Sequence, residues 1–141
     1  MVQEGSVGIC VDEAFGPVLA PYLRRLRAPG APGISDSWEL DLVGTSDEVL
    51  LYQLGQRGFA ALVTRDSKML SATVRRDVWR SSGLSVFLCD GKWGNLKLFE
   101  LARRLIWHWP AIVTQAREGP QGGAWRVSIE HRAGGLERVL A

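Results

Sequence analysis

The segment Ala60-Ala61-Leu62-Val63-Thr64-Arg65-Asp66-Ser67-Lys68 most narrows what this chain can fold into. A continuous apolar run of strand length that ends in a hydroxyl and a carboxylate is the pattern of a strand buried on both faces. Such a strand delivers its polar residues to the rim of a parallel sheet. Ligands of open α/β sheets bind outside the carboxyl ends of the strands, so Asp66 lies where a metal or phosphate site would be built. The pattern recurs twice: Val7-Gly8-Ile9-Cys10-Val11 runs into Asp12-Glu13, and Leu84-Ser85-Val86-Phe87-Leu88-Cys89 runs into Asp90.

The intervals between these runs read as helices and turns. Gly16-Pro17 opens a first helix with Val18, Leu19, Tyr22, Leu23 and Leu26 at helical spacing, and Pro21 is expected to distort its first turn. Arg24, Arg25 and Arg27 crowd its end, where cations suit the helix dipole. Residues 28–37, with Pro29, Gly30, Pro32 and Gly33, read as a surface loop, and the alternating Trp38-Glu39-Leu40-Asp41-Leu42-Val43 as an edge strand. Thr45 followed by Glu48 fits a capping box for a helix that Gly58 ends. A short helix is expected over 74–81, and a long one over 96–109 with Asn95 as its cap, restarting after Pro110 as far as Arg117. Trp107 does not fit the apolar face of that long helix and is expected to be covered by the C-terminal tail. Trp125–His131 and Leu136–Leu140 alternate around Ala133-Gly134-Gly135, a hairpin signal. The order predicts a three-layer α/β/α sandwich with a mainly parallel sheet, plus a C-terminal β-hairpin at about 124–140. A single domain spanning 1–141, with its core at about 7–118, suits this length.

Composition bounds the function classes. A hydrophobic fraction of 46% supports a sizeable core, and a net charge of +2, from 17 basic and 15 acidic residues, means that any basic surface is local. Cys10 and Cys89 fall inside predicted buried strands and are expected to be reduced, as suits a cytoplasmic protein. No segment reaches the roughly 18 apolar residues of a membrane span, and the N-terminus has no export pattern. Gly91-Lys92-Trp93-Gly94 lacks the spacing of a phosphate-binding P-loop. His108 and His131 with two buried cysteines make no zinc site, and neither histidine accompanies a nucleophile motif.

Parallel strands joined by right-handed crossovers would bring Asp12, Asp66 and Asp90 to one edge of the sheet, with Asp47 pointing there from the first turn of its helix. Clustered carboxylates stay ionised only beside cations, and hard oxygen ligands suit Mg²⁺ or Mn²⁺. Two such ions about 3.5–4 Å apart activate water and stabilise the leaving oxygen in phosphodiester hydrolysis. Arg65, Lys68, Lys92 and Lys97 surround this centre in sequence, and Trp93 is placed to stack on an unpaired base. The alternative for these residues is plain solvation of the cations and packing of the tryptophan.

Val11-Asp12-Glu13, the helix start Thr45-Ser46-Asp47-Glu48-Val49-Leu50 with Gly55 to Gly58 closing it, and Val63-Thr64-Arg65-Asp66 together resemble PIN-like domains. The similarity covers roughly residues 7–109 and leans toward the short VapC-type toxins of toxin–antitoxin systems. It implies a metal-dependent ribonuclease held inactive by a small antitoxin protein, with a homodimer also compatible. By that resemblance Asp12, Asp47 and Asp66 are catalytic, binding metal or orienting the attacking water. Asp90 matches a fourth acid more loosely, and Thr64 braces the pocket. The helix-start acid of such nucleases is more usually Glu, so Glu48 is an alternative ligand; Glu13 is a supporting group or solvated.

Two other readings fit the same residues. One is a PIN-like module without catalysis that binds a partner through Trp107 and the hairpin. The other is a phospho-accepting receiver-like domain, with Asp12 and Glu13 on Mg²⁺ and Asp66 phosphorylated. The latter wants a hydroxyl after the fourth strand and a Lys after a fifth parallel strand, where this chain has Cys89 and a hairpin.

Overall fold

A computed structural model describes residues 7–66, 76–118, 122–130 and 135–140. Their strands are β1 (Ile9–Val11), β2 (Ile34–Asp36), β3 (Ala61–Thr64), β4 (Ser85–Leu88), β5 (Ala124–Val127) and β6 (Leu136–Leu140). They form one sheet in the order β2-β1-β3-β4-β5-β6. Every neighbouring pair is parallel except β5 with β6. The predicted C-terminal hairpin is therefore present, but it completes the sheet, because β5 also pairs with β4 through Val86↔Ala124, Phe87↔Trp125 and Leu88↔Arg126.

The apolar runs read as doubly buried strands are so. Side chains that alternate along each strand go to opposite layers. Ile9, Val11, Ala61, Val63 and Phe87 join Phe15, Leu19, Leu23, Leu101, Leu105, Trp109 and Ile112 in the larger core. These partners come from the turn after β1 and from the helices α1 (Leu19–Arg25) and α4 (Leu98–Glu118). Cys10, Leu62 and Val86 point the other way, onto Leu50, Leu51, Leu54 and Trp79 of α2 (Asp47–Gln56) and α3 (Arg76–Ser82). Both cysteines are free and buried, and burial raises the Cys10 thiol to about 12, so it stays protonated.

Several local expectations are corrected. The second strand is Ile34–Asp36, inside the stretch read as a loop, and residues 37–41 are a turn. Pairing with β1 outweighs the Pro/Gly composition: Ile34 is fully buried opposite Ile9. Gly33 is required there, since a Cβ would lie 2.3 Å from the Val7 carbonyl oxygen. The Trp38–Leu42 alternation fails as a strand because Asp36 caps the turn, its Oδ1 accepting from the Glu39 N–H at 2.8 Å, and Asp41 adopts φ +59°. Secondly, the cap of α2 is Ser46, whose Oγ accepts from Val49 N–H at 3.3 Å, while Thr45 donates to the Leu42 carbonyl. Thirdly, Asn95 ends a 3₁₀ turn (Gly91–Asn95), and α4 starts only at Leu98, so Asn95 is not at its N-cap position. Pro21 is accommodated, because it occupies the first turn of α1, where backbone N–H groups lack helical partners.

Lastly, α4 runs unbroken through Pro110. Proline costs a helix interior about 3 kcal/mol, but Leu105, Trp109, Ile112, Val113 and Ala116 are buried along one face on both sides of it. Each such side chain contributes about 1.5–3 kcal/mol by leaving water, so continuity wins. Trp107, expected under the tail, stays 55% exposed.

Pro110→Ala restores an N–H that can donate to the Ile106 carbonyl. It is expected to stabilise the protein by about 1–2 kcal/mol, the helix gain less the lost rigidity of the unfolded chain. Thermal melting checks this; a lower melting temperature would mean that the helix is not continuous across residue 110.

Candidate functional site

The strand order reverses direction from β1, which is flanked by β2 on one side and β3 on the other. In doubly wound sheets the crevice at this switch, outside the carboxyl ends, is where ligands bind. Asp12 directly follows β1, and Thr64 ends β3 with Asp66 two residues on. The chain thus delivers the acids of its first and third strands to one crevice.

Backbone bonds hold these ends in register. Asp12 N–H donates to the Val63 carbonyl at 3.0 Å, and Cys89 N–H to the Thr64 carbonyl at 2.8 Å. Thr64, fully buried, then joins the two acids: its hydroxyl donates to Asp12 Oδ2 and accepts from the Asp66 N–H at 3.0 Å. The other Asp12 oxygen, Oδ1, accepts from the Ala14 N–H at 3.0 Å, capping the turn Glu13–Phe15. Asp12 is only 5% exposed, and that burial pushes its carboxyl up to about 6; the charges of Asp66 and Glu13 push the same way, and the hydrogen bonds from Thr64 and Ala14 oppose them. Asp66 is half-buried.

Arg65, between Thr64 and Asp66, is a staple rather than a free cation for substrate. Its guanidinium donates to the Ala14 carbonyl at 3.1 Å and the Trp93 carbonyl at 2.8 Å, and lies 5.8 Å from the Phe15 ring centroid. It ties together the loops that follow β1, β3 and β4. Trp93 is likewise committed: it is 1% exposed, and its indole N–H donates to the Val127 carbonyl at 2.9 Å, so it does not present a face to an unpaired base. Lys92 and Lys97 are exposed in the connection between β4 and α4, and Lys68 lies outside the described residues.

Each remaining predicted acid has its own place in the fold. Asp47 and Glu48 occupy the first turn of α2, where acids suit the helix dipole. Glu13 accepts from the Gly44 N–H at 3.1 Å, tying the turn after β1 to the approach to α2. Asp90 is engaged by Arg126 of β5, whose Nε lies 3.0 Å from Oδ1 and Nη2 3.2 Å from Oδ2. Among the described residues, no three His, Cys, Asp or Glu side chains are grouped so as to hold a metal ion. The donor set that the fold does couple, Asp12 with Asp66, does not make an enclosed cage. It suits a hydrated ion such as Mg²⁺, which keeps several waters and takes one or two protein carboxylates.

One acid escaped sequence reasoning. Asp36 ends β2 beside Val11, is fully buried, and its Oδ2 has no hydrogen-bond partner among the described residues; burial raises its carboxyl above the usual range. The signal was the same apolar-then-acid pattern, Ile34-Ser35-Asp36, masked by the prolines and glycines around it.

Residues 8–91 match the model of a family described as PIN like domain. The chain has no significant match among curated proteins or among solved structures.

The raised Asp12 carboxyl has a stability consequence. Between 3.8 and about 6 the folded protein holds a proton that the unfolded chain has released, so this stabilising contribution is complete at low pH and lost as pH rises through about 6. Above that, the ionised group costs up to about 3 kcal/mol. Asp12→Asn, measured in EDTA, is therefore expected to melt higher than the parent protein at about pH 7.5 and nearly with it at about pH 4. A difference that does not change with pH would show that Asp12 titrates in its ordinary range.

Proposed function

Because the chain belongs to the PIN-like domain family, we propose that it is a metal-dependent ribonuclease whose working centre is the carboxylate pair Asp12 and Asp66. Nuclease activity is common in this family, and divalent metals usually serve it. The observation that carries the reading is the Thr64 hydroxyl bridging Asp12 and the Asp66 backbone at the sheet's switch point.

In this reading Asp12 and Asp66 hold a Mg²⁺ or Mn²⁺ ion. The ion, when bound, supplies positive charge against phosphate oxygens and makes its water more acidic. Thr64 orients Asp12, and the Ala14 N–H fixes the second oxygen, so that carboxylate keeps one direction without reorganising. The buried position of Asp12 favours cation binding, since a cation removes the cost of an ionised carboxylate there. Asp47 or Glu48, at the start of α2, remains the proposed third acid, and Asp90 a weaker fourth because Arg126 holds it. Lys68, Lys92 and Lys97 are the remaining proposed contacts to an RNA backbone. We place the protein as the toxin half of a toxin–antitoxin pair, on the resemblance to VapC-type chains alone.

A second reading is a PIN-like binding module without catalysis, favoured by the absence of a three-acid group among the described residues. Cleavage of a mixed single-stranded RNA pool by purified protein with Mg²⁺, Mn²⁺ or EDTA separates the two. The nuclease reading expects metal-dependent cutting that Asp66→Asn lowers by about 10³-fold or more, with the variant's melting temperature close to that of the parent in EDTA. No cutting, and no rise in melting temperature on adding either metal, would sink the nuclease and leave the module.

A further inference from the structure

The surface between α1 and α4, on the outer side of the larger core, is apolar and concave. A groove of about 600 Å³ is lined there by Val18, Tyr22, Leu98, Phe99, Ala102 and Ile106, among others. Five of these six side chains are well exposed: Val18 49%, Tyr22 48%, Leu98 48%, Phe99 77% and Ile106 37%. On α1 and the residues that flank it, Val18, Tyr22 and Leu26 stand one turn apart, so the stripe is a second apolar face on an element whose first face, Leu19 and Leu23, already sits in the core. Scattered exposed apolar residues are ordinary, but a contiguous set at the junction of two helices marks an interaction site.

Charge narrows the occupant. Residues 17–27 and 97–110, which carry both walls, hold six of the chain's 17 basic residues and one of its 15 acidic ones. The basic residues are Arg24, Arg25, Arg27, Lys97, Arg103 and Arg104; the acid is Glu100, which pairs with Arg103 and Arg104, while Arg24 pairs with Glu39. Since the whole chain carries only +2, the rest of it is net negative; within the two segments Arg24 is turned to the Ile34 carbonyl and Arg104 to the Ile129 carbonyl, while Arg25, Arg27, Lys97 and Arg103 are exposed.

We infer that this groove docks an amphipathic helix of a partner protein, with apolar anchors at i, i+3 or i+4, and i+7, and acidic flanks. A groove between two helices is the receptor half of helix-in-groove recognition. Acidic flanks complement Arg25, Arg27 and Arg103. A second copy of this chain docked face to face would instead set Arg25, Arg27 and Arg103 against their own copies, and a flat anionic membrane calls for a protruding apolar face rather than a concave one. The inference stands on this surface alone and does not require the Asp12–Asp66 centre to be active.

The probe is a fluorescein-labelled helical peptide of about 18 residues, with Leu at the anchor positions and Glu elsewhere, beside a version with Lys in place of Glu. Fluorescence anisotropy with the full chain is expected to show saturable binding of the Glu peptide, weakened at least about fivefold between roughly 0.05 and 0.5 M salt. Phe99→Ser, and separately the double reversal Arg25→Glu with Arg103→Glu, are expected to weaken it by about tenfold or more, and the reversal to make the Lys peptide the better ligand. These side chains are exposed, so melting temperatures near that of the parent are expected; should Phe99→Ser not fold, Val18→Ser with NMR shift mapping of the Glu peptide onto α1 and α4 takes its place. Equal binding of both peptides, or of neither, overturns the inference. So does a concentration-dependent dimer that Phe99→Ser abolishes, or binding of the chain to anionic vesicles that the same change abolishes.

Discussion

The hydroxyl of Thr64 is the joint on which the candidate site depends. It is buried at the end of β3, donates to the carboxylate that follows β1, and accepts from the backbone of Asp66. A hydroxyl donates and accepts at a single oxygen, so it can couple two acids without adding charge between them. Valine, similar in shape, would leave Asp12 Oδ2 and the Asp66 N–H without this partner. The energetic problem Thr64 answers is the burial of Asp12, an acid placed at the sheet rim by strand geometry and almost wholly out of water.

Around that joint the protein uses charge for construction as much as for chemistry. Arg65 binds two carbonyls from loops that follow other strands, and so fixes the mouth of the crevice. Arg126 draws Asp90 toward β5, and Arg24 draws Glu39 onto α1 while also donating to the Ile34 carbonyl at 2.8 Å. Glu13 is spent on Gly44. In each case a charged side chain closes a structural gap, so that Glu13 and Asp90 are engaged in contacts within the fold. Asp12 and Asp66 are the pair that the backbone and Thr64 hold together.

The two faces of the sheet also differ in what they leave outside. Within the described residues, α2 and α3 cover one side over the smaller cluster centred on Leu51, Leu54, Leu62 and Val86. On the other side, α1 and α4 fill the larger core with Leu19, Leu23, Leu101 and Trp109, yet keep a second apolar stripe turned outward. Phe99 at 77% exposure beside Tyr22 and Val18 adds nothing to the core, and this contiguous outward stripe is what the proposed docking groove is built from.

Much of this protein was legible residue by residue. The doubly buried strands at β1, β3 and β4 announce themselves as apolar runs ending in acids, since a parallel strand covered on both faces has no reason to alternate. From them follow the parallel sheet, and the placement of Asp12 and Asp66 at its carboxyl rim. Where pattern and pairing disagreed, pairing won: β2 formed from a Pro/Gly segment because Ile34 could be buried against β1, and α4 crossed Pro110 because its apolar face continued. The roles of the remaining polar residues were decided only by the tertiary structure. Whether Arg65, Trp93, Asp90 or Asp36 faces solvent, substrate or a neighbouring loop depends on which groups distant in sequence stand within hydrogen-bond reach. That proximity comes from strand order and crossovers, which local periodicity does not encode.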